Sequence, residues 1–285
     1  SEIKGKIGEY LREAIDTLPL SRELATIRLD VDLEFGLEDL KDREQNDDAL
    51  LELFKEYEFR GWISELENRD SDKPATADAS EPKQAIERTY TVITEQAEFD
   101  AWVKRLEAAD EFAFDTETTS LRYMDAEIVG VSFAIEPGEA AYVPVGHDYM
   151  GAPEQLDRDD VLARLKPLLE NPRHAKIGQN LKYDKNVLAN HGIHLDGIGD
   201  DTMVESYVLN SVATRHDMDS LAKAYLDEDT VSFESIAGKG AKQLTFNQID
   251  LEKAGPYAAE DADITLRLHH ALNPKLKETG KLESV

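Results

Sequence analysis

The sequence contains no cysteine among its 285 residues. This absence excludes a disulfide framework, thiolate zinc sites and a cysteine nucleophile, so any bound metal must sit on oxygen or imidazole ligands. Long hydrophobic runs are also absent, since no apolar stretch reaches the roughly 18 residues typical of a membrane-spanning helix. The first residues, SEIKGKIGEYLREAI, show no signal-peptide pattern. We therefore expect a soluble, cytoplasmic protein without membrane contact.

Basic residues are scarce, because 32 Lys and Arg stand against 60 Asp and Glu, which gives a formal net charge of -28. Proteins that bind nucleic-acid duplexes tightly normally neutralise phosphates with Lys and Arg, so the charge argues against such binding. Carboxylates can still hold divalent cations, which supply positive charge locally. We expect most of the acids to be ordinary solvated surface residues.

A small, polar, proline-containing stretch from Arg69 to Lys83 predicts a linker. The sequence begins without a methionine, which suggests a piece of a longer protein. We expect a small, mainly helical segment at residues 1–68, a linker at 69–86 and the main domain at 87–285. In the first segment, apolar spacing predicts helices at Ile7 to Ile15 and Asp48 to Phe59, and alternation predicts a half-buried extended piece at Leu24 to Leu33.

The main domain begins with segments rich in β-branched and aromatic residues. These predict strands at Thr89 to Ile93, Phe112 to Thr116, Ile128 to Ile135 and Ala140 to Val145. Helical spacing then follows at Asp159 to Leu169, Leu181 to Asn190, Thr202 to Leu209, Ser220 to Leu226 and Pro256 to Leu272, with a short apolar piece at Ala175 to Gly178. This order predicts an α/β fold with a mixed sheet flanked by helices.

Asp115 and Glu117 are the first candidate site residues. Residues i and i+2 of a strand point to the same face, so the two carboxylates lie side by side at a strand end. Placing two acids among Phe112 and Phe114 is costly unless a positive group lies between them, and a hard divalent cation is the simplest partner. Alternatively, one acid faces solvent and the other caps a turn.

Two further candidate acids lie downstream. Asp184 falls in the first turn of a predicted helix, where an acid also complements the helix dipole without any metal. Tyr257 and Asp261 stand at i and i+4, hence on one helical face. A surface hydrogen-bonded pair remains the alternative for them.

Five motifs together resemble the proofreading exonuclease domain of bacterial DNA polymerase I. They are FAFDTET at 112–118, GQNLKYD at 178–184, HDMDSLA at 216–222, LTFNQI at 244–249 and YAAEDAD at 257–263. The resemblance runs from about Thr89 to the C-terminus and implies a ribonuclease H-like fold. The first 70 or so residues likewise resemble the tail of the 5′-nuclease domain that precedes the exonuclease in such polymerases. The sequence stops about where the polymerase domain of the parent protein would be expected to begin.

The resemblance implies a 3′-5′ exonuclease that removes nucleoside 5′-monophosphates from single-stranded or frayed DNA 3′ ends. By analogy, Asp115, Glu117 and Asp261 bind a first metal ion, while Asp184 and Asp115 hold a second. The ions are two Mg²⁺ or Mn²⁺, and Tyr257 positions the attacking water. The implied substrate contacts are Thr118, Leu121, Gln179, Asn180, Tyr183, Arg215 and Phe233.

Several alternatives stay open at these positions. Phe233 could fill its own core, and Arg215 could pair with Asp217 or Asp219 instead of meeting phosphate. Pro256 fixes its own φ and lacks an N–H, so the helix that carries Asp261 is expected to start or kink there.

Other motifs are weaker. Gly238-Lys-Gly240 lacks the spacing of a phosphate loop. No tight ligand spacing joins the histidines we considered for zinc, which are His147, His174, His191 and His194.

Two other functions compete with a DNA exonuclease. Related folds use the same four acids on RNA, so an RNA 3′ exonuclease is one alternative, and comparing digestion of matched DNA and RNA decides it. A non-catalytic scaffold that binds DNA or docks a polymerase is the other. Four retained acids argue against a scaffold, and failure to bind Mn²⁺ would favour it.

Overall fold

The computed structural model describes residues 3–32, 36, 45–57, 59, 61–63, 66, 86–212, 214–280 and 282. These residues belong to two compact units, one within 1–82 and the other within 83–285. All but the last residue of the predicted linker at 69–86 lies outside the described residues. None of the described helices is both long enough and apolar enough to cross a membrane.

The described part of the first unit is helical, as predicted. Its helices are α1 (Gly5–Glu13), α2 (Leu18–Ala25) and α3 (Asp47–Glu56). Helix α3 begins after Asn46, whose side chain accepts a hydrogen bond from the Ala49 backbone N–H at 3.0 Å.

The predicted extended piece from Leu24 to Leu33 is wrong in its described part. Leu24 belongs to α2, and Ile27 and Leu29 are exposed outside any strand. Alternation specifies a strand only where a sheet receives its apolar face, and the described residues of this unit include no strand. Leu33 itself lies outside the described residues.

The second unit is built on a mixed sheet, which confirms the predicted fold class. Its strands are β1 (Thr89–Val92), β2 (Glu111–Thr118), β3 (Ile128–Glu136), β4 (Glu139–Pro144), β5 (Ala175–Gly178) and β6 (Ile198–Asp201). They lie in the order β1-β4-β3-β2-β5-β6. Strand β3 is antiparallel to β2 and β4, and the other neighbours pair in parallel.

Helices cover both faces of this sheet. They are α4 (Gln96–Ala108), α5 (Arg158–Leu169), α6 (Leu181–Asn190), α7 (Thr202–Leu209), α8 (Met218–Leu221), α9 (Phe233–Ala237) and α10 (Leu251–Thr279), with a π-helical turn at Ala222–Leu226. Phe112 and Phe114 of β2 pack with α4, α5 and α6, whereas Ala113 packs with α10. Alternation therefore directs Asp115 and Glu117, like Ala113, to the α10 face.

Helix α10 begins earlier than the sequence predicted. It starts at Leu251, and the Asp250 side chain caps it by accepting a hydrogen bond from the Glu252 N–H at 2.9 Å. Pro256 therefore lies inside the helix, and the prediction that the helix starts there is wrong. The Asp250 cap and the burial of Leu251 and Ala254 in the core together explain the earlier start, because they offset the lost hydrogen bond and the steric clash that an interior proline introduces. Gly255, which precedes Pro256, packs on β1, since a Cβ at this position would lie 2.3 Å from Val92 Cγ2.

Candidate active site

The end of β2 presents Asp115 and Glu117 toward α10. They pair in register with Ser132 and Gly130 of β3. Gly130 leaves space for Tyr142, because a Cβ at this position would lie 2.2 Å from the Tyr142 hydroxyl oxygen. Burial raises the pKa of Tyr142 well above its ordinary value, and the nearby charges of Glu117 and Asp115 add to the shift. Tyr142 is therefore a further neighbour of the two acids, one that the sequence motifs did not indicate.

Asp184 is joined directly to β2. Its Oδ1 accepts hydrogen bonds from the Thr116 N–H at 3.0 Å and from the Thr116 hydroxyl at 2.5 Å, and the residue is only 2% exposed. Asp184 does lie in the first turn of α6, as predicted. The start of that helix is capped by another residue, because the Asp201 carboxylate accepts from the N–H groups of Asn180 and Leu181 at 3.0 and 2.8 Å. Asp184 thus docks α6 on β2.

Tyr257 and Asp261 lie on the face of α10 that meets the end of β2. Burial raises the pKa of the Tyr257 hydroxyl far above its ordinary value, and the charges of Asp261, Glu117 and Asp115 raise it further. A side-chain hydrogen bond joins Tyr257 to Asp261 and partly offsets the upward pKa shift of that aspartate. The predicted i, i+4 pair therefore faces Asp115 and Glu117, although Pro256 stands inside the helix.

These four acids, Asp115, Glu117, Asp184 and Asp261, form what we call the carboxylate cluster. Burial raises the pKa of Asp115 to about 6. The pKa of Glu117 lies well above its ordinary value, because of burial first and then the charges of the other three acids. Burial and the charge of Asp115 likewise raise the pKa values of Asp184 and Asp261. The structure thus brings together side chains that are up to 146 residues apart in the sequence.

The carboxylate cluster has the donor set of a divalent-cation site. Within the described ranges, no Lys or Arg forms an ion pair with any of the four acids, and Glu117 Oε1 is buried without a hydrogen-bond partner. A buried carboxylate oxygen without a partner is costly, and carboxylate oxygens are the preferred ligands of hard divalent cations. The residues therefore fit divalent metal, which would also reverse the unfavourable charge of the cluster.

An aromatic group borders the carboxylate cluster. The rings of Phe233, Phe246 and Tyr257 have centroids 6.1 to 6.4 Å apart, and Phe233 stacks on Phe246. Phe233 is partly exposed and packs against the core. The core-filling role that the sequence left open is therefore present, and the contact with substrate bases stays a prediction.

Three other predicted contacts lie near the end of β2. The hydroxyl groups of Thr118 and Tyr183 are 2.5 Å apart, and Tyr183 donates to the Ser120 carbonyl at 2.5 Å. Tyr183 lies close to Asp184, Asp115 and Glu117, and their negative charges contribute to the raised pKa of its hydroxyl. Leu121 is almost fully exposed just beyond this group.

The remaining predicted contacts lie around the start of α6. Gln179 Nε2 donates to the His216 carbonyl at 2.9 Å, and the Thr202 hydroxyl donates to Gln179 Oε1. Asn180 has a left-handed backbone with φ of 62°. Arg215 is exposed, and its Nε lies 3.4 Å from Asp217 Oδ2, so the intramolecular pair left open by the sequence forms.

The sequence patterns did not predict a second group of metal-ligating side chains. Asp200, Glu205 and His269 are, among the described residues, the one set of three whose ligand atoms lie within 4.8 Å of one another. The acids of the carboxylate cluster are spaced more widely. No spacing in the sequence indicates this trio, because His269 is 64 residues from Glu205 and reaches it only through the fold.

Comparison with known proteins places these features in context. Residues 90–277 match the family model of the 3′-5′ exonuclease of A-type DNA polymerases. The chain is 56% identical over 268 residues to DNA polymerase I of Pseudomonas aeruginosa, covering 93% of this chain and 29% of that protein. It is 34% identical to DNA polymerase I of Chloroflexus aurantiacus, covering 96% and 32%. The chain thus spans about a third of the length of these curated relatives.

Solved structures share the fold at low sequence identity. RNase D of Trypanosoma brucei aligns with a TM-score of 0.54 at 17% identity, covering 70% of this chain and 73% of that one. The polymerase domain of Pol1 from M. smegmatis, in complex with DNA primer-template and dNTP, aligns with a TM-score of 0.52 at 19% identity, covering 67% and 28%. These similarities show that the chain shares its fold with these proteins over about two thirds of its length.

Proposed function

Because the chain belongs to the 3′-5′ exonuclease family found in bacterial DNA polymerase I, we propose that it removes nucleoside 5′-monophosphates from the 3′ ends of DNA. The observation that carries the proposal is the convergence of Asp115, Glu117, Asp184 and Asp261 from three elements, with no basic partner among the described residues. Such a cluster is costly to fold unless it binds cations.

We assign Asp115, Glu117 and Asp261 to one divalent cation, and Asp184 together with Asp115 to a second. When bound, two Mg²⁺ or Mn²⁺ ions supply an activated water, a hold on the scissile phosphate and charge stabilisation for the leaving 3′ oxygen. Asp184 is already fixed by Thr116, and Glu117 directs a buried, unpartnered oxygen into the site. The chain's own contribution is therefore a rigid, negatively charged frame of oxygen ligands.

Tyr257 orients the attacking water in this proposal. The raised pKa of its hydroxyl keeps it protonated at neutral pH, so it cannot serve as the base. It can still make directed hydrogen bonds, and its ring is held by Phe233 and Phe246. In this proposal, Tyr257 therefore orients the water through its fixed hydroxyl and does not deprotonate it.

A single-stranded or frayed 3′ end suits the surface around the cluster. Phe233 exposes part of a ring on which a terminal base can stack, a contact worth about 1 to 3 kcal/mol, and Leu121 offers exposed apolar surface for packing beside it. Thr118, Gln179, Asn180, Tyr183 and Arg215 would line the path of the strand. The net charge of -28 disfavours tight duplex binding, which also favours a frayed end.

The proposal is tested with a 5′-labelled single-stranded DNA oligonucleotide in Mg²⁺. Successive loss of single nucleotides, with the label kept on every product, is the expected result, and a matched RNA should be digested more slowly. Asp115→Ala should abolish release, since it removes the ligand that both cations share, whereas the exposed Asp160→Ala control should not change it. Undiminished release by purified Asp115→Ala protein contradicts the assignment, and faster digestion of RNA favours an RNA exonuclease.

The wider context is also a proposal. The relative from Pseudomonas aeruginosa aligns with 93% of the chain, so the similarity extends well before residue 90, where the family match begins. This supports assigning residues 1–68 to the end of a preceding 5′-nuclease domain, 69–86 to a linker and 87–285 to the exonuclease domain. A polymerase domain in the parent protein, acting on DNA in the cytoplasm, completes the proposed arrangement.

A further inference from the structure

A second group of metal-ligating side chains, Asp200, Glu205 and His269, lies where β6, α7 and the C-terminal half of α10 meet. We call it the histidine cluster. His269 Nδ1 lies 2.9 Å from Glu205 Oε1 and 3.9 Å from Asp200 Oδ2. One ligand atom of each residue lies within 4.8 Å of the other two. Three elements thus direct one imidazole and two carboxylates at a common point.

The histidine cluster is separate from the carboxylate cluster. His269 follows Asp261 by eight residues on α10, which corresponds to about 12 Å along the helix axis. Its neighbour Glu111 stands at the start of β2, whereas Asp115 and Glu117 stand toward the end of that strand. A ligand of one group therefore cannot serve the other.

Glu205 carries the observation that points to a cation. Its side chain is 3% exposed, and its Oε1 accepts hydrogen bonds from His269 Nδ1 and, at 3.3 Å, from Asn273 Nδ2. Its other oxygen, Oε2, is buried and has no hydrogen-bond partner in the part of the chain that the structure describes. The ion pair with His269 therefore satisfies only one of the two oxygens of this buried carboxylate. An unpartnered carboxylate oxygen in the interior is costly.

The spacing and chemistry of the ligands fit a transition metal. Bonds of about 2.0 to 2.2 Å place neighbouring ligand atoms roughly 3 to 3.5 Å apart, and the separations of 2.9 and 3.9 Å bracket that range. An imidazole with two carboxylates favours Zn²⁺ over Mg²⁺, which prefers oxygen ligands alone.

The second ring nitrogen of His269, Nε2, lies 3.9 Å from Glu111 Oε2, which is too long for a hydrogen bond, and Glu111 Oε1 pairs instead with His270 Nε2 at 3.0 Å. Glu111 therefore adds negative charge beside the histidine cluster without fixing the ring of His269. The side chains of Asp200 and Glu111 are 37% and 41% exposed, so a cation can enter from solvent.

We propose that Asp200, Glu205 and His269 form a Zn²⁺ site that ties β6 and α7 to α10. The Zn²⁺ ion replaces the proton on His269 Nδ1 and binds the buried Glu205 carboxylate. Its effect is to fix the helix that also carries Tyr257 and Asp261.

Equilibrium dialysis against Zn²⁺ tests the site on the full 285-residue chain. The starting protein carries Asp115→Asn and Asp261→Asn, which remove oxygen ligands of the carboxylate cluster and relieve its repulsion. One Zn²⁺ per chain is expected to remain bound. Adding Asp200→Asn should weaken the Zn²⁺ affinity at least about tenfold, whereas the exposed control Asp160→Asn should leave it unchanged.

A thermal melt of the same proteins gives an independent readout. Saturating Zn²⁺ should raise the melting temperature of the starting protein, and Asp200→Asn should remove most of that rise. His269→Gln should act in the same way, and if it fails to fold, the partly exposed Asp200 still decides the question. No bound Zn²⁺ in the starting protein, or equal affinity with and without Asp200→Asn, overturns the proposal. Because the starting protein lacks ligands of the carboxylate cluster, either result leaves the proposed exonuclease function untouched.

Discussion

At the scale of single residues, Tyr257 shows how its surroundings fix the role of a side chain. Its hydroxyl lies among Asp261, Glu117 and Asp115, whose charges add to the effect of burial and hold its proton. The ring packs against Phe233 and Phe246, so it has little freedom to rotate away. In the proposed mechanism, this protonated, fixed hydroxyl would orient the water molecule, and the carboxylates would hold the cations.

We expect Tyr257→Phe to lower the rate of nucleotide release by about 10- to 100-fold, because it removes a positioning hydrogen bond and keeps the ring packing. The loss should be smaller than that of Asp115→Ala, and KM for DNA should change little. Single-turnover digestion of single-stranded DNA measures this rate. A loss as complete as that of Asp115→Ala would show that the hydroxyl does more than position water.

At the scale of elements, one aspartate fixes the start of two helices. Asp201, the last residue of β6, accepts hydrogen bonds from the Asn180 and Leu181 N–H groups of α6 and from the Met203 and Val204 N–H groups of α7. Helix α6 carries Asp184, so the cap also determines where that carboxylate lies. Stability and site geometry therefore depend on the same side chain.

We expect Asp201→Ala to lower the free energy of unfolding by about 2 kcal/mol, roughly 1 for each lost cap, and to slow digestion about tenfold through the displacement of Asp184. Asp157 provides a matched control, because it caps α5 with hydrogen bonds from the Asp159 and Asp160 N–H groups and α5 carries no residue of the carboxylate cluster. Asp157→Ala should cost about 1 kcal/mol without slowing digestion. Urea unfolding and the digestion rate of both variants check this, and equal rates for both would contradict it.

The sequence predicted elements where local pattern and tertiary context agree. Strands β1 to β4 and helices α5 and α6 lie close to their predicted positions, because their apolar spacing matches the faces that are buried. Helix α7 also lies where it was predicted, although it buries Thr202, Glu205 and Ser206 and exposes its apolar Val204 and Tyr207. Helix α4 carries the same signal at Phe99, Trp102, Val103 and Leu106, so it could have been predicted and was overlooked. Strand β6 could not, because its four residues, IGDD, include only one apolar side chain and its position depends on pairing with β5.

The candidate site, like the fold, could be predicted only in part from the sequence. The sequence motifs identified all four acids of the carboxylate cluster, because the motifs and their order along the chain resemble those of a known family. The hydrogen bonds from Thr116 to Asp184 depend on how α6 packs on β2, and the position of Tyr142 depends on the pairing of β4 with β3, which no local pattern encodes. The histidine cluster joins residues that only the fold brings together.

At the scale of the whole molecule, the dominant feature is the excess of negative charge. The chain carries a formal net charge of -28, and its four clustered acids have no described basic partner. Divalent cations should therefore affect stability as well as activity, because they bind the folded chain at a place where like charges repel.

We expect the metal-free chain to lose stability as pH rises from about 4 to about 6. The pKa of Asp115 is raised in the folded state to about 6, above its ordinary value, so the folded chain binds more protons in this window and unfolding becomes easier as they are released. Melting temperatures in EDTA measure the effect across this range. Asp115→Asn should flatten the dependence relative to wild type, and saturating Mg²⁺ should raise the melting temperature at pH 7. An identical pH dependence in the variant would contradict the account.

The most direct test of the central claim is the anomalous diffraction of a crystal of this chain soaked with Mn²⁺ and a deoxynucleoside 5′-monophosphate. The account predicts two Mn²⁺ peaks roughly 3.5 to 4 Å apart, with Asp115 between them, Glu117 and Asp261 on one and Asp184 on the other. No peak at the carboxylate cluster, or a single peak without Asp115 as a ligand, would contradict it.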